Sequence, residues 1–277
     1  MTKELTIAFI GGGNMATALG AGLIGKRCGA HDVHVVDINS AVLEPWVQQG
    51  TTVAPAPDAT LASRRVWIFA VKPQYMKEAV QSCRPFLQPD TLVISIAAGI
   101  SSATLGQWLG SPQKPFTRLI RCMPNTPALI GAGASGLMAG EGASEDDKMV
   151  AQQLMRAVGE VVWVANDYEI DVVTSLSGSG PAYVFLFLDA LIQGGVKQGL
   201  TSDQARTLAL ATLTGATQLA ALSHESLTVL RERVTSKGGT TAAAVAVLQD
   251  QQFPNIIQTA MQAAADRAAE LSNEFSQ

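Results

Sequence analysis

The chain has 277 residues, of which 47% are hydrophobic and only 15% charged, with a formal net charge of −4. A length near the roughly 250–300 residues at which single cores stop growing suits two domains better than one, and the apolar surplus leaves material for a subunit interface. The charges are interspersed, so no basic run could follow a phosphate backbone and nucleic acid is not an expected partner. Cys28, Cys83 and Cys122 are odd in number, lack metal-ligand spacing and read as reduced thiols, so no metal site is expected. Met1-Thr2-Lys3-Glu4 leads into a strand-like run without signal-peptide features, and no apolar stretch of about 18 or more residues suggests a membrane span. A cytoplasmic protein without a membrane partner is expected.

Through residue 165, short apolar β-type runs alternate with helical patterns, which indicates an α/β domain. Strands are expected at 5–10, 33–36, 66–70, 91–96 and 116–121, with weaker ones near 135–139 and 161–164. Their continuous apolar character fits a parallel sheet buried on both faces. The first strand runs into Gly11-Gly12-Gly13-Asn14-Met15-Ala16, a Gly-x-Gly-x-x-Ala pattern that opens a helix over 17–24. Gly11 would make the tight turn, Gly13 would let the backbone approach a pyrophosphate, and Ala16 would allow close helix-to-strand packing. A βα turn without ligand can carry the same glycines, but their place after the first strand of an alternating domain favours a dinucleotide. Ile10, Gly11, Gly13, Asn14 and Met15 are therefore expected to bind NADPH or NADH.

The second strand ends at Asp37, where a carboxylate can bond a ribose 2′-hydroxyl and would repel a 2′-phosphate, favouring NADH. The alternative is that Asp37 caps the next helix and Asn39 and Ser40 arrange themselves around a phosphate. Ala70-Val71-Lys72-Pro73 and Ala97-Ala98-Gly99 end two further strands on the same edge, where ligands bind in doubly wound sheets, and are expected to wall the cofactor. Lys72 reads as a solvated or phosphate-binding residue rather than a catalytic base.

After about residue 165 the strand-like runs disappear and 170–176, 182–198, 202–222, 227–234, 241–248 and 254–273 read as helices. Pro181 after Ser179-Gly180, Ser202-Asp203 ahead of a periodic run, and Thr240 ahead of the alanines are helix-start signals. These helices are rich in Ala and Leu and poor in charge, so either a partner subunit covers them or they form an ordinary bundle core. Between two of them lies Thr235-Ser236-Lys237-Gly238-Gly239-Thr240-Thr241. Two glycines allow a tight turn and close ligand approach, the threonines can cap the helix, and the helix start offers unpaired N–H groups to a small carboxylate.

Phe9-Ile10-Gly11-Gly12-Gly13-Asn14-Met15, Ala70-Val71-Lys72-Pro73, Arg121-Cys122-Met123-Pro124-Asn125-Thr126-Pro127, Ser177-Gly178-Ser179-Gly180-Pro181-Ala182-Tyr183 and Gly238-Gly239-Thr240-Thr241 occur in this order across nearly the whole length of the protein. Together they resemble the pyrroline-5-carboxylate reductases; many dehydrogenases share the glycines, and the last three segments are more specific. The resemblance implies a Rossmann-type doubly wound parallel sheet over 1–165 for dinucleotide binding, then an all-helical dimerisation and substrate-binding domain over 166–277. It implies reduction of Δ1-pyrroline-5-carboxylate to L-proline, the last step of proline biosynthesis, by NADPH or NADH. It further implies a homodimer intertwined through the helical domain, with assembly of dimers into a decamer.

Reducing a C=N bond needs a hydride donor above the carbon and a way to accommodate charge on nitrogen. A cyclic imine can enter already protonated, so a neutral hydroxyl that positions the nitrogen is sufficient. The resemblance gives that catalytic role to Thr241 and gives the substrate carboxylate to the amides of Gly239, Thr240 and Thr241, with Ser236 and Gly238 in the same loop. It places Asn125 beside the nicotinamide and substrate, and Ser179 near the substrate at the start of the long dimer helix. His31, His34 and His224 lie outside these segments and read as structural or surface residues.

The chain departs from the family pattern at Lys237, where proline is usual, at Ser223-His224-Glu225-Ser226, and at Pro57, where the family commonly has Asn against the adenosine ribose. These departures bear on substrate affinity and cofactor preference. Rival readings are a reductase of a related cyclic imino acid and a non-catalytic NAD(P)H-binding regulatory protein. A hydroxy-acid dehydrogenase of similar architecture would typically carry a lysine on the long helix after the linker, and 182–190 has none.

Overall fold

A computed structural model describes residues 5–275. Its strands are β1 (Ile7–Ile10), β2 (Val33–Val36), β3 (Thr52–Ala54), β4 (Val66–Phe69), β5 (Leu92–Ser95), β6 (Leu119–Met123), β7 (Gly133–Ala139) and β8 (Gly159–Trp163). They form one sheet in the order β3-β2-β1-β4-β5-β6-β7-β8. The parallel order 3-2-1-4-5-6 is that of a doubly wound dinucleotide-binding sheet. The helices are α1 (Asn14–Leu23), α2 (Ser40–Gln48), α3 (Met76–Cys83), α4 (Ser102–Leu109), α5 (Glu145–Arg156), α6 (Asp167–Val173), α7 (Gly180–Lys197), α8 (Ser202–Leu222), α9 (Leu227–Arg233), α10 (Thr240–Asp250) and α11 (Phe253–Phe275).

Alternate strand residues enter two separate cores. Ile7 and Phe9 pack with Leu19 and Leu23 of α1, Trp46 of α2 and Leu154 of α5, whereas Ala8 and Ile10 pack with Met76 and Val80 of α3 and Leu105 of α4. Burial on both faces explains why these strands carry no polar alternation.

Two features of the sheet go beyond the sequence expectation. β3 has only three residues, opens on the exposed Thr52 and forms the sheet edge, so nothing in its composition separates it from a turn. β7 runs antiparallel to β6, and β8 runs parallel to β7. Only the short 3-10 turn Thr126–Ile130 and its left-handed C-cap Gly131 precede β7, too short a connection for a parallel crossover.

The chain divides into two compact units: residues through Ser179 together with those from Ala264 onward, and Gly180–Ala263. In the first, the end of α11 closes on the sheet domain. Gly99 (φ +69) lies so near it that an added Cβ would be 2.8 Å from Leu271 Cβ, and Phe275 packs on the core beside α3 and α4. In the second, α7 and α8 meet through small residues, a Cβ on Gly195 lying 3.1 Å from Ala205 Cβ. The rings of Phe187 and Phe253 are 6.2 Å apart.

Helix starts follow local chemistry. Asn166 accepts from Glu169 N and starts α6 three residues ahead of the sequence expectation, while Thr201 and Gln204 close a capping box on α8. α6 continues through a π turn, Thr174–Gly178, towards α7. The run 167–197 is long and apolar enough to cross a membrane by length and composition, with mean hydropathy 1.3 in its most apolar window. The sequence reading passed over it, because its acidic start, Asp167, Glu169 and Asp171, and its glycines break up the apolar pattern.

Candidate active site

The glycine turn is held from both sides. Gly11 has φ +96 and donates to Val36 O at 2.8 Å, and an added Cβ would lie 2.9 Å from the Val71 nitrogen, so only glycine fits. The Gly12 N–H donates to Asp37 Oδ2 at 2.9 Å, and the Gly12 carbonyl accepts from Trp46 Nε1 at 2.9 Å. Gly13 is the N-cap of α1, which starts without a capping side group, and a Cβ on Gly13 would meet nothing within 4 Å. A backbone open on one side, beside free helix N–H groups, fits a pyrophosphate.

The cleft beside this turn has a volume of about 460 Å³ and is lined by Ile10, Gly11, Gly13, Asp37, Ala70, Val71 and Lys72 from the sequence expectation. The volume lies in the range of small-molecule sites and the glycine turn in its wall suits a phosphate-bearing ligand, whereas Asn14, Met15, Pro73, Ala97, Ala98 and Gly99 do not line it. Asn14 is exposed at the first position of α1, and Met15 packs at the edge of the core. Pro73 opens a short 3-10 turn behind Lys72. Ala97 is buried, and the small size of Gly99 accommodates Leu271.

Asp37 does not cap α2. Asn39 does so, accepting from Ala41 N at 3.1 Å, while Asp37 Oδ1 accepts from Asn39 N at 2.9 Å. The Asp37 carboxylate therefore ties the glycine turn to the loop after β2, and its charge stands in the cleft. Sequence reasoning missed Trp46, which supports the turn through Gly12 and packs its ring 5.4 Å from Phe9. It also missed Ile38 and Tyr75, both exposed and lining the cleft. The 43/46 apolar spacing in 40–48 was the available signal for Trp46; the positions of Ile38 and Tyr75 depend on loop geometry.

In the same unit, Arg121 of β6 is 2% exposed and bonds Asp167 at the start of α6, with Asp171 3.8 Å away. Ser102 donates to Asp167 through its N–H at 3.1 Å and its hydroxyl at 2.7 Å. Burial pushes the Asp167 carboxyl up, but Arg121 and Ser102 outweigh it and hold the group below its ordinary value. Asp171 moves the other way: burial raises it, Arg121 opposes and Asp167 adds to the rise. Cys122 beside Arg121 is pushed up to about 12 by burial, as is Cys83, which leaves both as neutral, unreactive thiols.

Asn125 follows β6 and is 9% exposed. Its Oδ1 accepts from Ala134 N at 2.8 Å and its Nδ2 donates to Ser177 O at 3.0 Å. Ser179 N closes the π turn onto Thr174 O at 2.8 Å.

Ser236, Gly238, Gly239, Thr240 and Thr241 lie in the second unit. Gly238 has φ +71, and Gly239 donates to Ser236 O at 3.0 Å. Gly239 is the N-cap of α10, which also starts without a capping side group, so Thr240 and Thr241 stand inside the first turn rather than capping it. That leaves first-turn N–H groups and the Thr241 hydroxyl together at one helix end, an arrangement that can hold an anion beside a hydrogen-bonding hydroxyl. Among the described residues, no group of three or more His, Cys, Asp or Glu could hold a metal ion.

A doubly wound sheet with a glycine turn and an open, uncapped helix start defines a dinucleotide-binding protein, and the comparisons specify which kind. Residues 6–99 match the model "NADP oxidoreductase coenzyme F420-dependent", and residues 167–271 match "Pyrroline-5-carboxylate reductase dimerisation". The protein is 40% identical to a pyrroline-5-carboxylate reductase of Pseudomonas aeruginosa and 38% identical to one of Pisum sativum, each match covering 98% of both sequences. Among solved structures it is similar to a pyrroline-5-carboxylate reductase from Coxiella burnetii, with TM-score 0.89, 36% identity and coverage of 98% and 99%. It is also similar to the Plasmodium falciparum pyrroline carboxylate reductase with NADP bound, with TM-score 0.85, 25% identity and coverage of 98% and 100%. The chain belongs to the pyrroline-5-carboxylate reductase family.

Proposed function

We propose that this protein reduces the C=N bond of Δ1-pyrroline-5-carboxylate with NADH or NADPH, giving L-proline in the last step of proline biosynthesis. The observation that carries this reading is the conjunction, in one member of this family, of the open Gly13 turn with the uncapped Gly239–Thr241 helix start. The bound nicotinamide supplies the hydride. The protein's own part is to bind and orient. Gly11 and Gly13 bring backbone to the pyrophosphate, while Ile10, Ala70, Val71, Lys72 and Pro73 wall the dinucleotide, with Asn14, Met15, Ala97, Ala98 and Gly99 around them. The N–H groups of Gly239, Thr240 and Thr241 hold the substrate carboxylate, with Ser236, Gly238 and Ser179 beside it. The Thr241 hydroxyl fixes the ring nitrogen without having to be a strong acid, because the imine arrives protonated.

The Asp37 charge favours a free 2′-hydroxyl, so NADH is the better donor. The sheet domain and the helical domain divide these tasks near residue 165. The protein works in the cytoplasm as a homodimer, its apolar 167–197 run covered by a second copy rather than by lipid, and dimers assemble into a decamer. The deciding experiment follows proline formation from pyrroline-5-carboxylate with NADH and NADPH side by side. A higher kcat/KM with NADH is expected; absence of proline with both donors sinks the reading.

A further inference from the structure

The carboxamide of Asn125 is engaged inside the protein, facing one N–H and one C=O. Its Oδ1 holds Ala134 N at the start of β7, and its Nδ2 holds the carbonyl of Ser177. Two residues earlier Met123 makes a second contact with the same turn, since a Cβ on Gly178 would lie 2.6 Å from Met123 Cε. Met123 at the end of β6 and Asn125 just beyond it therefore grip the π turn Thr174–Gly178 at two successive residues, 178 and 177. A π turn accommodates one residue more than the α-helix around it and recurs at functional sites. Here it is the last turn before Ser179.

We propose that Asn125 is a positioning residue, its carboxamide locking the π turn to the sheet and so setting where Ser179 stands for the imino acid. The identity of the substrate rests on the function proposed above. The chemistry accounts for the residue type: one planar group must accept from a backbone N–H and donate to a backbone carbonyl. An ionised Asp has no donor and Ala has neither group, so neither does both.

Asn125→Asp keeps the acceptor towards Ala134 and replaces the donor towards Ser177 with a charge, whereas Asn125→Ala removes both without burying one. For Asn125→Asp, kcat/KM for the imine is expected to fall at least roughly tenfold, with the dissociation constants of NADH and NADPH changed less than about twofold. The amides of 174–179 are expected to exchange hydrogen about tenfold faster than in the wild type, while β1 and β4 exchange as before. If the Asp variant does not fold, the Ala variant is held to the same expectations.

Unchanged exchange at 174–179 overturns the lock whatever the activity. Faster exchange with unchanged kcat/KM overturns the positioning role, and loss of cofactor affinity in step with kcat/KM assigns Asn125 to direct cofactor contact and overturns it too. Turnover by the wild type is measured first; its absence sinks the reading of the reaction, while hydrogen exchange still decides the lock.

Discussion

In the unit built on the sheet, the central strands are buried on both faces and a buried arginine is matched by carboxylates. In Gly180–Ala263 only Ala205 and Ala209 are buried, while Phe185, Leu186, Leu208, Leu219 and Leu222 stand exposed. Both units draw on the same apolar-rich composition, so the difference lies in where that material is placed. The first unit closes its own core, and the second leaves large apolar side chains exposed along α7 and α8. A dimerisation region has that signature, because its core is completed by another copy.

The contrast breaks most completely if the exposed surface of α7 carries no association. Phe185→Asp is expected to weaken the dimer by about a hundredfold or more, read by sedimentation velocity. An unchanged profile would remove α7 from the interface.

Within the first unit the corresponding test is Asp147, whose carboxylate receives Arg118 Nε at 2.9 Å and Arg118 Nη2 at 2.8 Å as well as the Ser144 N–H at 3.0 Å. Asp147→Ala leaves that arginine without its partner and should cost about 3 kcal/mol in urea unfolding. Burial pushes Asp147 up, but Arg118 and Ser144 prevail and hold it below the ordinary 3.8, as Arg121 and Ser102 hold Asp167. Stability from such depressed carboxyls is present above the ordinary value and lost as pH falls through the lowered ones. The loss of stability below pH ~4 should be shallower in Asp147→Asn than in the wild type; equal slopes would show that this pair does not set it.

Effects on chemistry come next in size. Thr241→Ala is expected to lower kcat by roughly tenfold to a hundredfold while cofactor affinity stays within about twofold. Equal losses in both would make the threonine structural. The smallest change is Lys237→Pro at an exposed position of the same loop: proline restricts φ before the left-handed Gly238, and kcat/KM should stay within about threefold or improve. Complete loss of activity would give the lysine a function of its own.

Legibility in the sequence followed the range of the interactions involved. The glycine turn was readable because Gly11 and Gly13 answer to a local backbone need, and the start of α8 because its cap acts within three residues; the start of α6 was placed three residues late, although Asn166 caps it in the same local way. β3 was not readable, since a three-residue edge strand is defined by its neighbour. The direction of β7 was also hidden, being set by how few residues separate it from β6. At Asp37 the residue was legible and its bonds were not: the sequence left helix capping open, and the structure gives that task to Asn39.

What the sequence determined by itself was the order of the strands other than β3 and of the C-terminal helices, the two-sided burial of the central strands, the nucleotide turn and the resemblance to one reductase family. These rest on periodicity, on glycine conformation and on motifs a few residues long. Tertiary structure alone decided that Trp46 supports the glycine turn, that Asn125 turns inward to Ser177, that the end of α11 packs against Gly99, and that Arg121 pairs with Asp167. In each case the partners lie far apart in sequence, and a buried polar group or a close backbone approach is satisfied only by residues that folding brings to it.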